Sequence, residues 1–164
     1  MPYEERVPAA TWFRWAVRLL GIVPLSVALL ATFLADETDQ ADQVGLGLTV
    51  VFTTLVALFL DRWLMVLQVS VGDGVVEARF GPFRKRLTAS EVTGAADVPY
   101  RWLQYGGWGI RGLGNRRAWS VPFLKTGVEF TMRDGKRYFI SSRTPRPFLD
   151  AVQQITEQSG RTRG

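Results

Sequence analysis

Two uncharged runs of 17 residues, Leu19 to Ala35 and Val44 to Leu60, stand near the start of the chain and are separated by a polar segment. At about 1.5 Å rise per residue, such a run is close to the shortest helix that crosses a hydrocarbon core of about 30 Å, so flanking residues must extend it. Trp12, Trp15 and Trp63 suit the headgroup region, and Arg14 and Arg18 lie near enough to snorkel outward. The pattern predicts a transmembrane hairpin occupying residues 1–63, with helices over about 14–35 and 44–63.

From Leu64 the period shortens. Met65 to Val71 and Val75 to Phe80 read as strands joined by the tight-turn pair Asp73-Gly74. Gly81-Pro82 breaks the chain before a strand at Phe83 to Leu87, and Glu91 to Val98 is a further candidate. A long glycine-rich loop follows. Val128, Phe130 and Met132 then alternate with Glu129, Thr131 and Arg133, leading through Asp134-Gly135 into a strand over Lys136 to Ser141. Thr144 and Pro145 open a helix whose Phe148, Val152 and Ile155 fall on one face. These elements predict a mainly β domain over 64–158 and a polar, disordered tail over 159–164.

Charge adds an orientation. The segment between the two runs carries Asp36, Glu37, Asp39 and Asp42 and no base, whereas Arg6, Arg14 and Arg18 precede the first run. From Arg62 onward there are 17 Lys and Arg against 8 Asp and Glu. Positive flanks mark the cytoplasmic side, so the expectation is a multi-pass protein of the inner (cell) membrane with both termini cytoplasmic.

Composition removes much chemistry. The chain has neither cysteine nor histidine, which excludes disulfides, Cys/His metal sites, thiolate nucleophiles and imidazole bases. The carboxylates after Arg62 are scattered singly, with no pair placed for acid–base work. Gly107, Gly109 and Gly112 match G-x-G-x-x-G, but a dinucleotide site needs a strand before and a helix directly after those glycines, and neither pattern is present. The expectation is a non-enzyme without cofactor, metal, nucleotide or nucleic acid.

Trp108-Gly109-Ile110-Arg111, the Gly127-Val128-Glu129-Phe130 strand with its Asp134-Gly135 turn, and Ile140-Ser141-Ser142-Arg143-Thr144-Pro145 together resemble the bacterial membrane-anchored pleckstrin-homology-like proteins. The resemblance implies a partial barrel of six to seven antiparallel strands closed by one C-terminal helix, acting as a binding or scaffolding module.

Within that frame, Trp108, Arg111, Arg116, Arg117 and Trp119 are candidates for recognising a protein or peptide partner, since exposed Trp and Arg are typical interface anchors. Arg84, Lys85 and Arg86 are candidates for contact with lipid headgroups, where each base gains about 1 kcal/mol at an anionic leaflet. Thr49, Thr53 and Ala57 form a small-residue stripe that permits close approach of another helix, from a protein partner or a second copy. The expected function is a membrane-anchored, non-catalytic scaffold. An anionic-lipid sensor and an accessory subunit of a larger membrane complex are the alternatives.

Overall fold

The computed structural model describes the backbone of residues 3–34 and 40–161; the heart of the acidic connector, residues 35–39, and the end of the expected tail, residues 162–164, lie outside them. The chain forms two units, one comprising Met1–Ala10 with Met65–Gly164 and the other Thr11–Leu64. The division expected at 63/64 falls at 64/65 and is joined by a second one after Ala10, so that residues 3–10 belong with the sheets.

The Thr11–Leu64 unit holds α1 (Thr11–Leu34), α2 (Gln40–Phe59) and a π-helical turn (Leu60–Leu64). The two helices meet closely at Gly21, where an added Cβ would lie 2.8 Å from the Cβ of Ala57. About one turn further on, in the π-helical turn, Asp61 draws in both arginines of α1, with Arg18 Nη2 at 3.1 Å and Arg14 Nε at 3.6 Å. Both arginines are therefore paired with a carboxylate. The expected transmembrane hairpin is overturned here. Among the described residues one helical segment, Val44–Arg62, is long and apolar enough to cross a membrane. Helix α1 begins at Thr11 and carries Arg14 and Arg18 in its first turns.

The described residues of the other unit form nine strands in two sheets, with orders β1-β2-β3-β4 and β5-β8-β9-β7-β6. The first sheet consists of β1 (Tyr3–Pro8), β2 (Val66–Gly72), β3 (Val75–Phe80) and β4 (Phe83–Thr88). Its register stacks one apolar face, since Leu67 lies opposite both Val7 and Phe80, and Val76 lies opposite both Val71 and Leu87. All six of these are buried, while Phe83, opposite Phe80 on β4, is exposed. Asp73 and Gly74 both have positive φ, 49° and 71°, which is the geometry that lets a two-residue turn follow the twist of β2 and β3.

The second sheet consists of β5 (Val92–Asp97), β6 (Gly109–Leu113), β7 (Arg116–Ser120), β8 (Gly127–Met132) and β9 (Arg137–Ser141), with a one-turn helix α3 (Trp102–Tyr105) between β5 and β6. Phe80 of β3 and Trp119 of β7 stack with ring centroids 6.0 Å apart, so the buried faces of the two sheets meet there. Helix α4 (Pro145–Arg161) buries Phe148, Val152 and Ile155, and Phe148 packs against Phe130 and Tyr3. Gly127 is required by close approach, because a Cβ there would sit 2.5 Å from the Phe139 ring.

The expected barrel of six to seven antiparallel strands is thus corrected to nine strands in two sheets. Three strands escaped the pattern. β1 precedes the helices and has only one buried residue, Val7, while β6 and β7 lie in the glycine-rich stretch read as loop. The β7–β9 pair is parallel, which a simple antiparallel meander does not contain. Helix α4 also continues through Ser159 and Gly160 to Arg161, further than the expected end at 158.

One junction ties the ends of this unit together. The Glu5 carboxylate accepts from Tyr3 Oη at 2.7 Å, from the buried Ser142 Oγ at 2.6 Å and from the Arg143 amide at 2.8 Å. Arg143 in turn donates to the Pro8 carbonyl, and Tyr3 stacks on Phe148 at 5.4 Å. A strand from before the helical unit is thereby fastened to the start of α4.

Candidate functional site

Strand β7 has two faces with different fates. Trp119 points between the sheets onto Phe80 and is 7% exposed, so it is a core residue and not available to a partner. Ala118, its neighbour, points to the opposite face, where it packs with Phe139, Tyr100 and Tyr105. This second cluster carries the candidate site on its outer side.

Above it, Trp108 lies against Trp102 at 5.9 Å and against Phe123 at 4.6 Å, ring to ring. Trp102 is half exposed and Phe123 is 42% exposed. Phe123 has φ of 65°, a left-handed conformation that a bulky side chain adopts only when its surroundings impose it. Leu103 on α3 and Leu113 on β6 are exposed as well, at 71% and 58%, whereas Ile110 pairs with Trp119 on the other face of β6. Strand β6 is the free edge of its sheet, hydrogen-bonded to β7 alone.

The charges around this apolar patch have one sign. Between Asp97 and Glu129 the chain contains Arg101, Arg111, Arg116, Arg117 and Lys125 and no acid. Arg111 Nε donates to the Trp108 carbonyl, Arg116 donates to Gln104 Oε1 and lies 5.8 Å over the Tyr105 ring, and Arg117 donates to the carbonyls of Gly114 and Arg116. These partners are neutral, and among the described residues none of the three guanidinium groups has a carboxylate partner. Asp97 lies on β5 at the far edge of the sheet. Glu129 is engaged beneath the patch by the Tyr105 hydroxyl and by Arg137.

The same packing decides the tyrosines. Burial, then the bond to Glu129, pushes the Tyr105 hydroxyl well above its ordinary range. Burial likewise raises Tyr100, whose hydroxyl donates to the Gly107 carbonyl. Both phenols are held neutral and committed.

The expected headgroup contacts lie elsewhere, on β4 of the first sheet. Arg86 is paired with Glu77 at 2.5 Å, Lys85 Nζ sits 4.9 Å over the Tyr138 ring, and Arg84 stands opposite Arg79 in the strand register. Only part of that basic run is therefore free charge. Lys85 and Arg86 do line an open groove with Arg133, Lys136 and Tyr138, but Glu91 and Asp134 line it too. Gly109 and Gly112 of the G-x-G-x-x-G match lie inside β6, and Gly112 leaves room for the Arg117 side chain.

The structure thus places Arg111 and Arg116 on the Ala118 side of the β6–β7 ladder with Trp108 packed nearby, puts Arg117 and Trp119 on the other side, and adds Trp102, Leu103, Leu113 and Phe123 as exposed apolar neighbours. The absence of acids between Asp97 and Glu129 was the signal that delimits this face in the sequence. No protein-family model, curated protein or solved structure matches the chain.

Proposed function

We propose that the sheet unit is a non-catalytic binding module that captures a negatively charged partner surface through the face built by α3, β6 and the 121–126 loop. The observation that carries this reading is the pair of exposed rings, Trp102 and Phe123, on either side of the partly buried Trp108, set among arginines held by neutral acceptors. Rigid aromatic side chains beside arginine are the usual anchors of interfaces, and a clustered apolar patch on a surface commonly marks one. Catalysis has less support there. Tyr100 and Tyr105 are both displaced upward, away from the range in which a phenol takes a proton near neutrality. The Val44–Arg62 segment supports a membrane location, since Leu48, Phe52 and Leu55 on it present bare apolar surface.

In-cell photo-crosslinking tests this reading. A crosslinker placed at Leu103 or Leu113 should form adducts, with protein or lipid, that one placed at the exposed Glu157 of α4 does not. Equal adducts from all three positions, or none from Leu103 and Leu113, would refute the assignment of this face.

A further inference from the structure

Resting on that reading of the face, we infer that its occupant is the interface of an anionic bilayer, into which Trp102, Leu103, Leu113 and Phe123 dip while Arg101, Arg111, Arg116 and Lys125 meet the headgroups. Shape argues for this occupant. The apolar side chains are carried by three separate segments, a short helix, the end of β6 and the loop at Phe123, and Leu103 and Leu113 are the most exposed of the four. A peptide is normally bound by side chains that fill pockets, whereas protruding apolar tips need a medium that yields around them.

Side-chain chemistry argues the same way. Tryptophan rings favour the headgroup level, where an apolar body and one N–H donor are both satisfied. The surrounding bases complement a negative leaflet, and no exposed acid between Asp97 and Glu129 opposes it. An extended peptide added to the free edge of β6 is the competing occupant. It would cover Gly109 to Leu113 and leave Leu103, on α3, in water.

Because the chain has no cysteine, single thiols report on this face without interference. Full-length protein carrying Leu103→Cys, Leu113→Cys or, as control, Glu157→Cys is labelled with an environment-sensitive fluorophore and reconstituted in phosphatidylcholine vesicles with or without phosphatidylglycerol. Any anchoring by Val44–Arg62 is common to all samples, so the label reads the face itself. Labels at 103 and 113 should shift to the blue and be quenched by doxyl-lipid in the phosphatidylglycerol vesicles, and the control label should not.

The shift should collapse between about 0.1 M and 1 M salt, as the screening length falls from about 10 Å to about 3 Å. Arg101→Gln with Arg111→Gln should weaken the phosphatidylglycerol-dependent signal about 25-fold, at about fivefold per base, and Arg101→Lys with Arg111→Lys should restore it. Labels that stay in water in both vesicles, or shift equally in both, overturn the inference. Protein adducts from the crosslinker at Leu113 together with a label at 103 that stays in water would identify a peptide occupant, leaving the binding face intact and the bilayer excluded.

Discussion

Replacing Glu5 by Ala should unfasten the N-terminal strand from α4. The carboxylate receives three hydrogen bonds, from Tyr3, the buried Ser142 and the Arg143 amide. A hydrogen bond to a charged group contributes about 1.5 to 3 kcal/mol net, but these three share one half-buried acceptor and do not add. Ser142 keeps a partner in the Thr144 amide, and Val7 keeps its burial. A loss of about 3 kcal/mol follows, which is roughly a hundredfold in the local opening equilibrium. Hydrogen exchange read by mass spectrometry on the full chain resolves it. Segments covering 3–8, 66–72 and the Arg143 amide should lose about a hundredfold protection, while β8 and β9 keep theirs. Glu5→Gln, which retains an acceptor, should lose markedly less. A change below about threefold in β1, or an equal loss across β8 and β9, would show that this junction does not hold the strand.

Truncating Phe148 to Ala removes a fully buried ring that contacts both Tyr3 and Phe130, and should cost about 3 to 5 kcal/mol, seen as a lower denaturant midpoint. Gly127→Ala places a methyl group against the Phe139 ring and the adjoining backbone of β9, and should cost about 1 to 3 kcal/mol in the same assay. Tyr3, Tyr100 and Tyr105 all have hydroxyls raised above 10.0, first by burial, so folding favours their neutral forms. That contribution is complete below pH 10.0 and is lost as pH rises through the folded values; an alkaline titration followed by tyrosinate absorbance should show unfolding there, less steeply in Tyr105→Phe.

Much of the sheet unit was legible where burial is one-sided. The Val128, Phe130, Met132 alternation marked β8 to its ends, and the two turns with Asp-Gly pairs fixed the flanking strands. Helix α4 was legible because its apolar stripe has the helical period. What escaped were strands whose burial is slight or is supplied from elsewhere. β1 shows one buried side chain, and β6 none, so neither carries a period for the eye to find. The candidate site was legible by residue type and misread by face. Trp119 and Arg117 share one side of β7, yet the ring reaches the core while the guanidinium reaches nearby carbonyls, a difference that depends on which sheet lies opposite. The hairpin reading took α1 as a second span from its apolar run and flanks, whereas among the described residues Val44–Arg62 alone is long and apolar enough, and the two arginines of α1 answer to Asp61.

The chain leaves the sheets at Pro8 and returns at Val66, and these residues face each other across one antiparallel ladder, with the Ala9 amide donating to Met65 at 2.7 Å. The helical unit is therefore spliced into what is geometrically a β-hairpin, entering and leaving at a single point. During synthesis β1 must wait, its edge unpaired, until all of Thr11–Leu64 has been made, an interval in which it is open to mispairing. The same geometry makes the insertion a cassette: a two-residue Asn-Gly turn joining β1 directly to β2 would close the ladder without it.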